Sequence, residues 1–194
     1  GSLANLFEVQ TSEPDEPENS VSLCDIIPLR TGTWYFEVEI SSVLQKDKMN
    51  SSDMEAAVST VDQARIGLFI TDESVKDDQT PSILGNDDHS LAYSALGFVC
   101  HNGHLFGGYE DECDYSWGIG DIIGCFFTID SENGRCVAAF SKNGIWLPSV
   151  EQQLNLSGAN GNCCHVRPAF SMSTSSTVLQ TNFGEKVFKH SSSI

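Results

Sequence analysis

The sequence predicts an all-β chain folded as a two-sheet antiparallel β-sandwich, and three features carry that expectation. About a dozen short apolar runs are separated by Gly, Pro, Asn and Asp turn signals, with a single weak helix candidate around Ser52 to Val58. Thr33 to Ile40 alternates with a period of two. Trp34, Phe36, Val38 and Ile40 share one face and Tyr35, Glu37 and Glu39 the other, which is the pattern of a half-buried strand. Gly120 to Trp146 places Asn133-Gly134 and Asn143-Gly144 between apolar runs. Asn and Gly tolerate the positive φ of tight hairpin turns, so this stretch reads as an antiparallel meander.

Residues 3 to 20 join a small apolar patch (Leu3, Leu6, Phe7) to a run rich in Glu, Asp, Pro and Ser, a composition that buries too little surface to offset the cost of ordering. Residues 1–28 are therefore expected to form a flexible acidic arm, with a tag scar at Gly1-Ser2 and a candidate first strand at 21–28 that Pro28 stops. After the strand at Thr33 to Ile40, Ser41 to Gln63 is polar, mixed and longer than a strand connection needs, so it reads as an insertion. Strand residues resume over Ala64 to Ile70. Asp72 to Thr80 is an acidic loop, and Gly85-Asn86-Asp87-Asp88 is a turn. Ser90 to Tyr93 and Gly97 to Cys100 read as short strands, and Asn102-Gly103 turns the chain into His104-Leu105-Phe106. Tyr109 to Tyr115 is a second acidic loop.

Ile122 to Ile129 is almost wholly apolar and reads as a strand buried on both faces. Arg135 to Ser141 and Ile145-Trp146 complete the meander. Pro148 to Asn162 reads as loop, and Cys164 to Ser171 and Thr177 to Phe183 as closing strands. The expected core is Trp34, Phe36, Phe126, Phe140 and Phe183. Gly124 leaves room for a ring or backbone to approach the central strand, and Asn143-Gly144 fixes the register of its hairpin.

At 194 residues the chain is long enough to bury a core without staples. Its net charge of −17 argues against nucleic acid and against anionic membranes, since both are held by Lys and Arg. The charge is concentrated: from Ile66 to Gly134 there are thirteen acidic residues and one basic, Lys76. A solvated surface is the plainer reading; a field that attracts a basic partner is the sharper one. Seven cysteines without a Cys-x-x-Cys pair read as free thiols in an intracellular, reducing compartment.

Chemistry-bearing constellations are sparse. Glu37 and Glu39 project from one strand face as an acid/base pair of a glycosidase would, but nothing in the sequence buries either, and two solvated carboxylates is the preferred reading. Cys100, His101, His104 and Cys113 lack zinc-site spacing, and the acidic runs at 86–88 and 110–114 lack calcium-loop spacing, so no metal and no cofactor is expected. No phosphate loop and no nucleophile elbow appears.

The chain resembles the SPRY domain. The resemblance rests on seven segments in order: TGTWYFEVEI at Thr31 to Ile40, ARIGLFI at Ala64 to Ile70, ILGNDDHSLAYSALGFVCHNGHLFGG at Ile83 to Gly108, IGDIIGCFFTID at Ile119 to Asp130, AFSKNG at Ala139 to Gly144, RPAFS at Arg167 to Ser171, and TNFGEKVFKH at Thr181 to His190. It delimits a domain at 29–190, leaving 191–194 as a tail. The Gly-Asp-x-x-Gly-Cys strand and the Asn-Phe-Gly ending are most similar to the subgroup containing Ran-binding protein M, heterogeneous nuclear ribonucleoprotein U, ryanodine receptors and SOCS-box SPRY proteins.

The resemblance implies a lectin-like sandwich that acts as a monomeric, non-catalytic protein-interaction module inside a scaffold, a ubiquitin-ligase adaptor or a channel. Loops at one end would hold a partner segment. It points to Thr80 and Pro81 before the Leu-Gly turn, and to Ser173, Thr174 and Ser175 in the loop after the Pro-x-x-Ser strand; the acidic balance adds Glu110, Asp111 and Glu112 as residues that would steer a basic partner. The SOCS-box proteins place an aromatic residue where Thr80 stands and a Trp-Gly pair in the loop filled here by Ser173 to Ser176, so their peptide pocket is not expected. A carbohydrate-binding sandwich is the alternative, and a glycoside hydrolase using Glu37 and Glu39 a more remote one.

Overall fold

The computed structural model describes residues 20–23, 29–42, 64–71, 83–107, 114–148, 153–156, 164–172 and 177–190. Among these, every regular element is a β-strand: β1 (Ser20–Leu23), β2 (Gly32–Ser42), β3 (Arg65–Thr71), β4 (Ser90–Ser94), β5 (Val99–His101), β6 (His104–Phe106), β7 (Ile122–Asp130), β8 (Arg135–Lys142), β9 (Ile145–Trp146), β10 (Gln153–Asn155), β11 (His165–Met172) and β12 (Thr177–Asn182). The helix candidate at Ser52 to Val58 and most of the insertion lie outside the described residues, as does nearly all of the N-terminal arm. No described helix is long and apolar enough to cross a membrane.

The strands form two six-stranded antiparallel sheets. The first has the order β1-β11-β3-β4-β5-β6, and the second β10-β8-β7-β2-β12 with β9 paired to β8. Alternation decides what each strand buries. On β2, Phe36, Val38 and Ile40 point inward; on β7, Ile123, Cys125, Phe127 and Ile129; on β8, Cys136, Ala138 and Phe140. These meet Ile66, Leu68 and Ile70 of β3 and Val166 and Phe170 of β11 across the interface. Phe36 contacts Phe170 edge to face at 6.3 Å, and Tyr93 of the first sheet lies 5.7 Å from Phe140 of the second. A smaller apolar cluster sits on the outer face of the first sheet. There Leu84 packs on Phe69 and on the small residues Ala92 and Ala169.

Several sequence expectations change. β7 is buried on one face only: Ile122, Phe126 and Thr128 are partly exposed on the outer side. Its apolar composition overstated its burial because the outer face is covered by side chains and a terminal segment rather than by a third layer. Phe126 is therefore not a core residue; it packs edge to face on Trp146 at 6.3 Å outside the sandwich. Trp34 also leaves the core and is 42% exposed. β12 ends at Asn182, opposite Glu37, so no described strand flanks Trp34 on that side, and its indole N–H turns back to donate to the Thr31 carbonyl at 3.0 Å. Phe183 is partly buried against the core. β10, inside a stretch read as loop, adds an edge strand to β8 and seals it with the fully buried Leu154. β1 begins at Ser20, one residue before the candidate strand, and pairs with β11.

Gly124 is required by space. A Cβ there would lie 2.5 Å from Ser141 Oγ and 2.6 Å from the Tyr35 hydroxyl oxygen. The hairpin at Asn143-Gly144 takes positive φ at both residues, 51° and 80°.

Candidate functional site

Strand register shows which connections share an end. In the first sheet Arg65 lies opposite Ser94 and Ser171, Val99 opposite Phe106, and Ser20 opposite Met172. In the second, Ser41 lies opposite Val178, Glu39 opposite Ile122, and Ile123 opposite Lys142. Backbone hydrogen bonds join these two edges: Trp117 N donates to Ala95 O at 2.9 Å, and Gly120 N to Ile40 O at 2.8 Å. One end of the sandwich therefore carries the stems of the 42–64, 106–114 and 172–177 connections, together with the turn at Ala95 to Gly97 and the hairpin at Asn143-Gly144.

Residues 114–121 floor that end. Trp117 is buried and closes the core against Tyr93, with ring centroids 6.1 Å apart. The Tyr93 hydroxyl donates to the Tyr115 carbonyl, and burial, with Asp121 and Asp114 nearby, holds this phenol well above its ordinary range. Lys142 Nζ donates to the carbonyls of Ser116 and Asp114 and lies 3.9 Å from the Asp121 carboxylate. The Asp114 carboxylate accepts from the Ser116 hydroxyl and amide, which hold its pKa below the usual range. Asn143 ties the hairpin to the floor: its amide group accepts from Ile122 N at 2.8 Å and donates to Asp121 at 2.7 Å.

The residues singled out for partner binding, Thr80, Pro81, Glu110, Asp111, Glu112, Ser173, Thr174 and Ser175, all lie outside the described residues. Their anchoring strands are described. The connections holding Glu110–Glu112 and Ser173–Ser175 have stems at the floored end. The connection holding Thr80 and Pro81 leaves β3 at Thr71, which pairs with His165 at the opposite end, and resumes at Ile83 before Leu84 covers the outer face of the first sheet. Arg65 fixes that return, donating to Leu84 O at 2.7 Å and to Asn86 Oδ1 at 2.9 Å.

Glu37 overturns the expectation of a solvated carboxylate: it is 3% exposed. The segment after β12 folds back over the outer face of the second sheet and covers Glu37 there. Lys189 N and His190 N each donate to Glu37 at 2.8 Å, and the Tyr35 hydroxyl donates at 3.1 Å. Glu39 pairs with Lys189 Nζ at 2.9 Å. Phe188 packs on Tyr35 at 4.8 Å, edge to face. Both oxygens of Glu37 thus bind the chain's own amides, the opposite of a carboxylate presented to a substrate. No sequence signal links positions so far apart.

The remaining reactive groups have ordinary settings. Cys100, Cys125 and Cys136 are buried free thiols, and Cys164 is buried as well. Burial pushes the Cys136 thiol up to about 12 and raises Cys125 and Cys100. His101 and His104 pair across the β5–β6 turn, at the end opposite the floor. Among the described residues, no three His, Cys, Asp or Glu side chains gather as a metal site.

No family model and no curated protein matches the chain. Solved structures do. The SPRY domain of human HERC1 is similar over 85% of this chain and 81% of its own, with 16% identity and a TM-score of 0.47. Stonustoxin is similar over 84% of this chain and 20% of its own, with 15% identity and a TM-score of 0.46. The lectin UEA-II, solved in complex with galactose, is similar over 90% of this chain and 87% of its own, with 8% identity and a TM-score of 0.39.

Proposed function

We propose that residues 29–190 are a SPRY-type interaction module that captures a segment of a partner protein at the floored end of the sandwich. The observation that carries this reading is the convergence of three loop stems on one rigid platform. Loops are free to vary where a packed scaffold fixes their ends, which is the usual construction of a binding site. The ordered sequence motifs support the SPRY assignment. The chemistry of the end supports capture rather than turnover: its described polar groups hold backbone carbonyls and turns, and the paired glutamates of β2 secure the C-terminal segment.

On this reading Glu110, Asp111 and Glu112, with Ser173, Thr174 and Ser175, contact the partner, and Thr80 and Pro81 contribute from the connection between β3 and Ile83. The acidic balance favours a basic partner. The module is monomeric and intracellular, serving a scaffold, an adaptor of a ubiquitin ligase, or a channel.

Photo-crosslinking tests this. A benzoylphenylalanine at Asp114 or Thr174 in cell extract should give discrete protein adducts that excess unlabelled module suppresses. The same probe at Asn102 or Asn133, at the other end, should not. Equal adducts from both ends would defeat the assignment, and saturable binding to a glycan array without protein adducts would favour a carbohydrate-binding sandwich.

A further inference from the structure

Large exposed apolar side chains are ordinary when scattered and informative when they gather. Among the described residues, Leu96, Ile119 and Ile145 are 53%, 43% and 69% exposed, and all three stand at the floored end. Each comes from a different connection. Leu96 lies in the turn after β4, where a Cβ on Gly97 would sit 3.0 Å from Ser116 N, so that turn abuts the floor. Ile119 belongs to the floor. Ile145 follows the hairpin that Asn143 bonds to Asp121, and it pairs with Lys142, sharing the face that side chain uses to reach Ser116. The other large exposed apolar side chains lie elsewhere: Trp34 at the opposite end, Leu105 on edge strand β6, and Val187 in the C-terminal segment.

At this end Asp114 is exposed and Asp121 partly so. Two cations of this end are engaged elsewhere: Lys142 by the carbonyls of Ser116 and Asp114 and by Asp121, and Arg65 by Leu84 O and Asn86 Oδ1. Beside the set, the buried Trp117 indole nitrogen is a donor with no acceptor among the described residues.

We infer that Leu96, Ile119 and Ile145 are the apolar anchor of the partner site and take a short segment with a bulky apolar side chain flanked by Lys or Arg. The inference rests on the capture reading above and adds to it the residues and the ligand chemistry. Apolar contact supplies the affinity, and the carboxylates select basic flanks and speed encounter.

The test is a selection from a phage-displayed random peptide library on the whole chain, followed by fluorescence polarisation with the enriched peptides. The expected consensus is a bulky apolar residue with basic neighbours, and affinity should fall with added salt. The variant Leu96→Ser/Ile119→Ser/Ile145→Ser should keep the wild-type melting midpoint, because these side chains are exposed, and lose affinity by at least ~10-fold. Peptides bound equally by that variant but lost in Glu110→Lys/Asp111→Lys/Glu112→Lys would overturn the anchor and leave the capture reading standing. An acidic consensus, or no enriched peptide at all, would overturn the ligand chemistry. Sedimentation showing self-association that the triple serine variant abolishes would make a second copy of this chain the occupant, and would equally overturn it.

Discussion

Glu37 shows how one side chain can hold elements 152 and 153 positions apart. A buried carboxylate is costly unless its oxygens are satisfied, and here two backbone amides and a phenol satisfy them. Removing the carboxylate strands those donors under the C-terminal segment. Glu37→Ala should therefore cost about 2–4 kcal/mol in urea unfolding, and proteolysis should reach residues 183–190 at least several-fold faster. A variant as stable and as protease-resistant as the wild type would remove the latch. Gly124 makes a second residue-scale prediction. Gly124→Ala drives a methyl group into the Tyr35 and Ser141 hydroxyls, and Tyr35 is held in place by Glu37 and Phe188. The expected cost is about 1–3 kcal/mol. Tyr35→Phe deletes the oxygen 2.6 Å from the new methyl, so the double variant should lose less than the sum of the two single changes. Strict additivity would mean the clash is relieved by other means.

At the scale of elements, the floor at 114–121 is the part that makes one end of the sandwich distinct. Asn143 secures it from a left-handed conformation that Asn tolerates and alanine resists, while bonding both Ile122 and Asp121. Asn143→Ala should cost about 1–3 kcal/mol and accelerate amide exchange at Gly118 and Gly120, leaving the β3–β11 pairs protected. Unchanged exchange at both glycines would show that the floor stands without the hairpin. The strands themselves were legible in the sequence wherever alternation or a turn dipeptide marked them, as for β2, β7, β8 and the β5–β6 hairpin. β10 was not, because three residues with only Leu154 buried give no periodicity. Trp34 and Phe126 were misplaced because apolar character does not say whether a strand's flank or outer face is covered. The convergence of loop stems depends on strand order, and local patterns do not carry it. Leu96, Ile119 and Ile145 each sit beside a glycine in separate segments, so their shared end emerges only from the pairing of distant strands.

At the scale of the whole molecule, burial makes the core thiols, Tyr93 and the half-buried Tyr35 proton traps, which gives a signed dependence on pH. Cys136 is pushed up to about 12 by burial, and Cys125 is raised well above its ordinary value by burial and the neighbouring Cys136. Tyr35 and Tyr93 are raised for the same first reason, burial. In the unfolded chain a thiol ionises near about 8.5 and a phenol near about 10. Above those values the unfolded state has released protons that the folded state still binds, so unfolding becomes easier as pH rises. The stabilisation is complete below about pH 8 and declines through the window between the unfolded and folded pKa values. One unit above the unfolded pKa, each such thiol has forfeited about 1.4 kcal/mol. Urea midpoints measured from pH 7.5 to 9.5 under reducing conditions should therefore fall for the wild type. They should fall less, by about 2–3 kcal/mol at the upper limit, for Cys125→Ala/Cys136→Ala, whose lower starting stability reflects the cavities. Parallel profiles for the two proteins would show that the thiols ionise alike in both states, and would place them nearer water than the sandwich core allows.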